Sequence, residues 1–203
     1  MDREGGIVIK ERIIAAFTEL SRQKGFYRIT VDEIAAGAGV SKRTVYRYFN
    51  SKDEIIEAVI DKLLSTVGGR LEKIIASDKE PDKKFEDILN IFYHVGRTFI
   101  NPMVMQDLNR HYPQYWEKID KYRMERAHLL IGIFLKEGQN RLAGSIDPRI
   151  AAAAVLASVQ AVLNPEFILA NQLTFEEAAR QLVEFFKHGF IRDTGGASPA
   201  ANA

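Results

Sequence analysis

The side chains best suited to bind another molecule lie close together between residues 42 and 48. This segment reads Lys-Arg-Thr-Val-Tyr-Arg-Tyr, which places three cations, one hydroxyl and two phenols within about two helical turns. Lys, Thr and Tyr side chains suit phosphate oxygens, and Arg or Lys near the start of a helix can reach the edge of a guanine. The segment therefore has the chemistry of a surface that contacts nucleic acid.

Two short helices are expected to position these side chains. Thr30 and Glu33 form a capping box that opens the first helix, and Gly39 stands in the turn, where a left-handed backbone is needed. The hydroxyl of Ser41 caps a second helix, which runs to Phe49. The span 30–49 thus has the dimensions of a helix-turn-helix motif.

This span also resembles a known family. Residues 40–52, VSKRTVYRYFNSK, are similar to the signature of TetR-family transcriptional regulators, and the similarity extends back to a first helix that ends in Lys24-Gly25-Phe26. The close resemblance covers residues 7–67, and beyond them it covers only the architecture. It implies an all-helical homodimer that binds double-stranded DNA at a palindromic operator and is released by a small molecule. The expected function is therefore a ligand-responsive transcriptional repressor.

The resemblance also assigns DNA contacts to individual residues. Five matching positions touch DNA in the family, mostly at phosphates: Lys42, Thr44, Tyr46, Tyr48 and Lys52. Many members have glycine where this chain has Arg43, so Arg43 is a candidate to read a base that the family pattern does not define. The complete set of DNA-binding candidates is Thr30, Lys42, Arg43, Thr44, Tyr46, Arg47, Tyr48 and Lys52.

The rest of the chain is also helical by its apolar spacing. Apolar residues recur every three or four positions in nearly every segment, and no stretch shows the alternation of a strand. We therefore expect an all-α protein with a helix-turn-helix domain over 7–67 and a larger bundle for ligand binding and dimerisation over 68–192. The small, uncharged tail 193–203 is expected to be disordered. Gly68-Gly69, inside the long fourth helix, is a candidate flexible point.

Charge and composition limit the classes of function. Residues 1–52 hold ten Lys and Arg against six Asp and Glu, whereas the remaining residues hold 18 against 21, so the N-terminal end is the one suited to a polyanion. The absence of Cys excludes disulfides and thiolate metal sites. The four His show no paired spacing, and no pattern of catalytic groups appears. Neither a metal, nor a cofactor, nor enzyme activity is therefore expected.

The sequence also predicts where the protein acts. The N-terminus lacks the pattern of a secretory signal, and the 14-residue run from Ile150 to Leu163, before Asn164-Pro165, is too short to span a bilayer. A cytoplasmic protein that does not contact the membrane is expected.

Aromatic and Met residues concentrate between residues 85 and 134, where they could line an apolar cavity between helices. For any single residue, ordinary core packing is the better explanation, whereas the family resemblance favours a pocket for the segment as a whole. The expected effector is apolar or aromatic. Its candidate contacts are Phe85, Phe92, His94, Phe99, Met103, Trp116, Tyr122 and His128.

The helix expected over 151–163 is apolar on nearly every side. One side can pack on its own domain, and the other needs a second partner. With the last helix it predicts a two-fold four-helix interface between two copies, although a central helix buried in a monomer would show the same pattern. A palindromic operator favours the dimer. The interface candidates are Ala154, Val155, Ser158, Val159, Val162, Leu182, Phe185 and Phe186.

Two other functions remain open from the sequence. One is an all-α small-molecule carrier or enzyme that retains a helix-turn-helix and binds DNA weakly, without sequence preference. The other is a constitutive DNA binder that no ligand regulates, which ordinary close packing of the C-terminal core would favour.

Overall fold

The computed structural model describes residues 3–99, 101–137 and 146–190, and these residues form ten α-helices. No strand occurs within these ranges, in agreement with the expected all-α fold. The tail 193–203 lies outside the described residues. The helices are α1 (Arg3–Lys24), α2 (Val31–Ala38), α3 (Lys42–Tyr48), α4 (Lys52–Ile75), α5 (Pro81–Phe99), α6 (Pro102–Arg110), α7 (Pro113–Glu137), α8 (Pro148–Val162), α9 (Pro165–Ala170) and α10 (Phe175–Phe190).

The first four helices share one apolar core. Side chains with almost no exposed surface form its centre: Ile13 and Phe17 of α1, Ile34 of α2, Val45 of α3 and Ile56 of α4. Val45 is the one buried residue within α3. The short helix α3 therefore packs on the core through Val45, and its polar side chains remain on the outside.

The turn between α2 and α3 has the geometry that the sequence predicts. Thr30 and Glu33 make both hydrogen bonds of the capping box that begins α2. Gly39 has a φ of 63°, a left-handed conformation that glycine adopts without steric cost. The Oγ of Ser41 accepts a hydrogen bond of 3.1 Å from the amide of Thr44 and begins α3. These local contacts fix the orientation of α3 relative to α2.

The start of α4 differs in detail from the sequence expectation. The run from Ser51 to Glu54 predicts a capping box, and Ser51 does accept a hydrogen bond from the Glu54 amide. The Glu54 carboxylate, however, accepts from the backbone amide and the side-chain amide of Asn50 instead of from Ser51. Asn50 offers two donors to the two carboxylate oxygens, whereas the Ser51 amide would offer one.

The fourth helix runs without interruption through Gly68-Gly69, so the boundary predicted between residues 67 and 68 lies inside α4. Gly68 is buried, and a Cβ at this position would lie 2.4 Å from the hydroxyl oxygen of Tyr122 on α7. The absence of a side chain at Gly68 thus permits α4 and α7 to approach closely.

Three of the later helices begin in the same way, with an Asn or Asp cap followed by proline. Asn101 precedes α6, Asp147 precedes α8 and Asn164 precedes α9, and each cap side chain accepts a hydrogen bond from a backbone amide of its helix. The short helix α9 is an element that the sequence did not lead us to predict.

Two further apolar clusters hold the C-terminal helices together. Leu71 of α4, Ile91 of α5 and Leu130 of α7 belong to one cluster. The second cluster joins α6, α9 and α10 through the buried residues Met105, Leu163, Ile168, Phe175, Ala178 and Ala179.

The N-terminal core does not end with α4. Val104 and Leu108 of α6 and Ile119 of α7 are buried in the same cluster as α1 to α4. The hydroxyl of Tyr115 donates a hydrogen bond of 2.9 Å to the carbonyl of Asp53 at the start of α4. The helix-turn-helix domain is therefore packed on α6 and α7 through its helices α1 and α4.

Candidate nucleic-acid interface

The outer surface of α3 carries the cationic and phenolic side chains. Tyr46, for example, is 47% exposed. The major groove of DNA is wide enough to admit an α-helix such as α3. The exposed side chains are those of Lys42, Arg43, Tyr46 and Arg47, and the half-buried ones are those of Thr44 and Tyr48.

Lys42 forms an ion pair with Asp32 of α2. Its Nζ donates a hydrogen bond of 2.9 Å to Oδ2 of Asp32, and this bond raises the pKa of Lys42 above its ordinary value. Both side chains are exposed, and exposed ion pairs contribute little to stability. The Lys42 ammonium can therefore exchange Asp32 for a phosphate at small cost.

The two arginines of α3 differ in their contacts. Arg43 makes no hydrogen bond or ion pair with the part of the chain that the structure describes. The guanidinium of Arg47 instead lies 5.2 Å from the centre of the Tyr48 ring. Arg43 is also the second residue of α3, close to its N-terminal end. Of the two, Arg43 has the more available guanidinium for a bidentate contact to guanine.

The hydroxyl groups of two candidates already take part in caps. Thr44 Oγ1 lies 2.9 Å from the Oγ of Ser41, and Thr30 Oγ1 lies 3.0 Å from the Glu33 carboxylate. The bonds from Lys24 and Thr30 lower the pKa of Glu33 to about 2. In the structure, Thr30 and Thr44 take part in the caps of α2 and α3. Their contacts with DNA stay predictions.

The ammonium group of Lys52 binds backbone carbonyl oxygens of the protein itself. Its Nζ donates to the carbonyl oxygens of Phe26, Tyr27 and Ile29, at 3.2, 2.7 and 3.1 Å, and lies 5.7 Å from the centre of the Tyr27 ring. Burial lowers the pKa of Lys52. An ammonium has three N–H donors, and three acceptors are present here. Lys52 thus ties α4 to the loop after α1, and the phosphate contact implied by the resemblance stays a prediction.

A set of contacts that the sequence analysis missed joins this loop to α6. Oδ2 of Asp107 accepts hydrogen bonds from the amides of Phe26 and Tyr27, at 2.6 and 2.8 Å. The ring of His111 stacks on Tyr27 with 3.9 Å between centroids and 11° between planes. Gly25 has a φ of 71°, and a Cβ there would lie 2.3 Å from the same Asp107 oxygen. Gly25 indicates the turn in the sequence, but no feature of the sequence indicates its contact with Asp107.

The side chains predicted to contact a ligand differ in their exposure, and they do not all face the interior of the bundle. The side chains of Phe85, Phe92 and Phe99 lie outside the described part of the chain. Three candidates face outward: His94 and His128 are exposed, and Met103 is 43% exposed. Trp116 and Tyr122 of α7 are half-buried, and the hydroxyl of Tyr122 is buried with no hydrogen-bond partner among the described residues.

The predicted dimer contacts form a partly covered surface on α8 and α10. Phe185 is 63% exposed and lies edge-on to Phe186, with 5.5 Å between ring centroids. The other candidates are half-buried: Ala154, Val155, Ser158, Val159, Val162, Leu182 and Phe186. Ile150, at the start of α8, is 66% exposed. Apolar surface on these helices is thus left uncovered by the residues that the structure describes.

Over the described ranges, no helix combines the length and the apolar character needed to cross a membrane. Within the same part of the chain, no group of His, Asp and Glu side chains is arranged to hold a metal ion.

The fold and the surface of α3 define an all-helical DNA-binding protein of the helix-turn-helix class. Residues 13–59 match the family model described as bacterial regulatory proteins, tetR family. Residues 13–59 therefore form a DNA-binding domain of the tetR-family type, and the chain is a DNA-binding transcriptional regulator, not an enzyme.

Curated relatives are similar over most of the chain. The uncharacterized HTH-type transcriptional regulator YvaF of Bacillus subtilis (strain 168) is 26% identical over 185 residues, which cover 90% of this chain and 96% of that protein. The nucleoid occlusion factor SlmA of Haemophilus influenzae (strain PittGG) is 26% identical over 180 residues, which cover 82% of this chain and 80% of that protein.

Solved structures share the fold. NalD, the secondary repressor of the MexAB-OprM multidrug efflux pump in Pseudomonas aeruginosa, has a TM-score of 0.59 and 21% identity, over 94% of this chain and 100% of that one. SmeT, the repressor of the Stenotrophomonas maltophilia multidrug efflux pump SmeDEF, has a TM-score of 0.61 and 19% identity, over 95% and 97%. At these identities the likeness establishes the architecture alone.

Proposed function

We propose that the protein is a homodimeric repressor that binds a palindromic operator and leaves it when a small molecule enters the C-terminal core. The observation that carries this proposal is the pair of hydrogen bonds that the Asp107 carboxylate accepts from the amides of Phe26 and Tyr27. Through these bonds α6, whose Met105 lies in the C-terminal apolar cluster, also touches the loop of the helix-turn-helix domain.

The DNA contacts proposed for α3 follow from its exposed side chains. Arg43 reads a base, and Lys42 moves from Asp32 to a phosphate when DNA is bound. Tyr46, Arg47 and Tyr48 contribute further contacts to the backbone. Thr30, Thr44 and Lys52 stabilise the helix-turn-helix through their hydrogen bonds within the protein, and they lie beside the phosphates.

The dimer is proposed from the apolar surface left open on α8 and α10. Phe185 has more than half of its surface exposed, and Val155 and Val159 are partly covered. Packing these helices against those of a second copy would form a four-helix interface and would cover this surface. A two-fold dimer then presents two copies of α3 to two half-sites related by the same symmetry.

The proposed release requires that the effector bind better to a form whose helix-turn-helix domains cannot reach both half-sites together. Movement of α6 would be transmitted by Asp107 to the loop before α2, and movement of α4 by Lys52 to the same loop. The effector is proposed to be apolar or aromatic. SmeT, whose fold this chain shares, has been solved in a complex with triclosan.

The test measures release and ligand binding on the same preparation. A panel of apolar aromatic compounds, with triclosan among them, is added to the complex of the full chain with its selected operator. A ligand-responsive repressor loses operator affinity with at least one compound, and the same compound raises Tm. Trp116→Ala should weaken both effects, whereas Glu125→Gln, an exposed change on the same helix, should leave both unchanged. If no compound produces either effect, ligand response is wrong.

A second candidate is a DNA-binding protein that no small molecule releases. Its support is the similarity to SlmA, whose name, nucleoid occlusion factor, is not that of a repressor. In the same experiment this candidate predicts specific operator binding with no response to any compound.

A further inference from the structure

Arg123 of α7 is a charged residue that is buried in the C-terminal part of the protein. Its side chain is 8% exposed, and its guanidinium lies 5.5 Å from the centre of the Trp116 ring. One terminal nitrogen donates to the carbonyl oxygen of Leu163, and the other donates to the carboxylate of Asp120. The Nε–H group is buried and has no partner among the described residues.

The surroundings of this unpaired donor are apolar. Leu163, whose carbonyl accepts from Arg123, is itself buried in the cluster that joins α6, α9 and α10, and Trp116 packs against the same cluster. A buried donor without an acceptor is costly in such a place, and an acceptor oxygen arriving there would remove the cost. Small-molecule sites in proteins commonly combine apolar walls with a few polar groups of this kind.

The charge on Arg123 decides which acceptor fits. Asp120 already pairs with the guanidinium, so the two side chains together are close to neutral. A carboxylate on the ligand would add a second negative charge in a mostly buried place, which is unfavourable without a second cation. A neutral carbonyl oxygen can accept from Nε without changing this balance.

We propose that Arg123 is the polar anchor of the effector site, and that the effector is an apolar molecule with a neutral carbonyl oxygen that accepts the Nε–H of Arg123. The proposal rests on the proposed function in one respect, namely that the core binds a small molecule. The apolar part of the effector packs against Trp116 and the neighbouring cluster, and Asp120 selects against anionic ligands.

Three probes of nearly equal shape test this assignment. Acetophenone carries a neutral carbonyl, ethylbenzene replaces its oxygen by hydrogens, and benzoate replaces its methyl group by a charged oxygen. Tm of the full chain and the Nε–H signals of arginine in a ¹⁵N spectrum are recorded with each probe. Acetophenone should bind about tenfold or more tightly than ethylbenzene, the gain typical of a hydrogen bond to a charged donor. It should also shift one Nε–H signal, which is absent in Arg123→Met.

Two variants separate recognition from a structural role. In Arg123→Met, acetophenone should lose its advantage over ethylbenzene, while ethylbenzene binds as before. If Arg123→Met fails to fold, Asp120→Asn still decides, because it leaves the cation without its partner and should change the preference from acetophenone to benzoate. Glu117→Gln, an exposed change on the same helix, should keep the wild-type order.

The assignment is overturned if the wild type binds acetophenone and ethylbenzene equally or binds neither, since a water molecule would then serve as the acceptor. An unchanged order of the probes in Asp120→Asn also overturns it. These results are distinct from failure of the proposed function. Release of the operator by triclosan, together with equal binding of the three probes, would keep the repressor and reject the anchor.

Discussion

The carboxylate of Asp107 accepts a hydrogen bond of 2.8 Å from the backbone amide of Tyr27, across 80 positions of sequence. The same oxygen accepts from Phe26, and Asn101 at the start of α6 donates its side-chain amide to the carbonyls of Ser21 and Arg22. The end of α1 and the loop after it are therefore bound to α6 at donors and acceptors that the loop cannot satisfy by itself. A shift of α6 moves this loop unless these bonds break.

Asp107→Ala should uncouple the two parts of the molecule. The amides of Phe26 and Tyr27 would lose their acceptor, so we expect the free energy of unfolding to fall by about 1–3 kcal/mol. Operator affinity should change little, whereas release by an effector should weaken. Urea unfolding and operator titrations with and without effector measure these quantities. Gln106→Ala, an exposed change on α6, is the control, and an Asp107→Ala protein that responds to effector as the wild type does would contradict the link.

Lys52→Met should destabilise the protein because three carbonyl oxygens lose their donor. We expect the free energy of unfolding to fall by about 1.5–3 kcal/mol, the range for hydrogen bonds to charged groups. The salt dependence of operator binding should change by less than one unit of slope, since the ammonium protons are already used inside the protein. Lys73→Met, an exposed change in the last turn of α4, is the control. A slope smaller by about one unit with unchanged stability would show that Lys52 acts mainly as a phosphate anchor.

Glu33 should make stability depend on acid. The bonds from Lys24 and Thr30 lower its pKa from 4.5 to about 2 in the folded protein. The contribution of the ionised carboxylate to stability is therefore complete above pH 4.5 and is lost as pH falls through about 2. The difference in stability between the wild type and Glu33→Gln should shrink over this interval in denaturant titrations. A difference independent of pH would contradict the assignment.

Phe185→Asp should dissociate the proposed dimer without unfolding the chain, because this ring is largely exposed in the single copy. Light scattering should report the mass of a monomer, and operator affinity should fall because each half-site would then be bound alone. Leu129→Asp places the same charge at an exposed position of α7 and should leave the dimer intact. An undiminished dimer for Phe185→Asp would place the interface elsewhere.

Much of the fold is predictable because helix boundaries depend on neighbouring residues. The Thr30 capping box, the left-handed Gly39 and the Ser41 cap are each visible in a few consecutive letters. A cap residue followed by proline, Asn164-Pro165, also marks the start of α9, although this helix was not predicted.

The contacts that link the two parts were not predictable in the same way. Asp107 and Tyr27 have no sequence relationship that indicates a hydrogen bond, since the pairing depends on how α6 packs against α1. The same holds for Lys52, whose type and position suit a phosphate but whose amine is surrounded by carbonyls in the fold. The burial of Arg123 likewise follows from packing against the end of α8 and not from its neighbours in sequence.

Operator recognition by a dimer is tested most directly by selecting DNA bound by the full chain from a random pool, in parallel for the wild type and Arg43→Ala. Lys73→Ala serves as a control for the loss of a cation. The wild type should enrich a palindrome whose half-sites lie about one helical turn apart or a multiple of it. Arg43→Ala should bind this sequence more weakly, by about 1–3 kcal/mol for each half-site, and should lose the preference at one guanine-containing base pair. No enriched sequence, or an enriched sequence without two-fold symmetry, would contradict operator recognition by a dimer, and an unchanged preference in Arg43→Ala would contradict base reading by that residue.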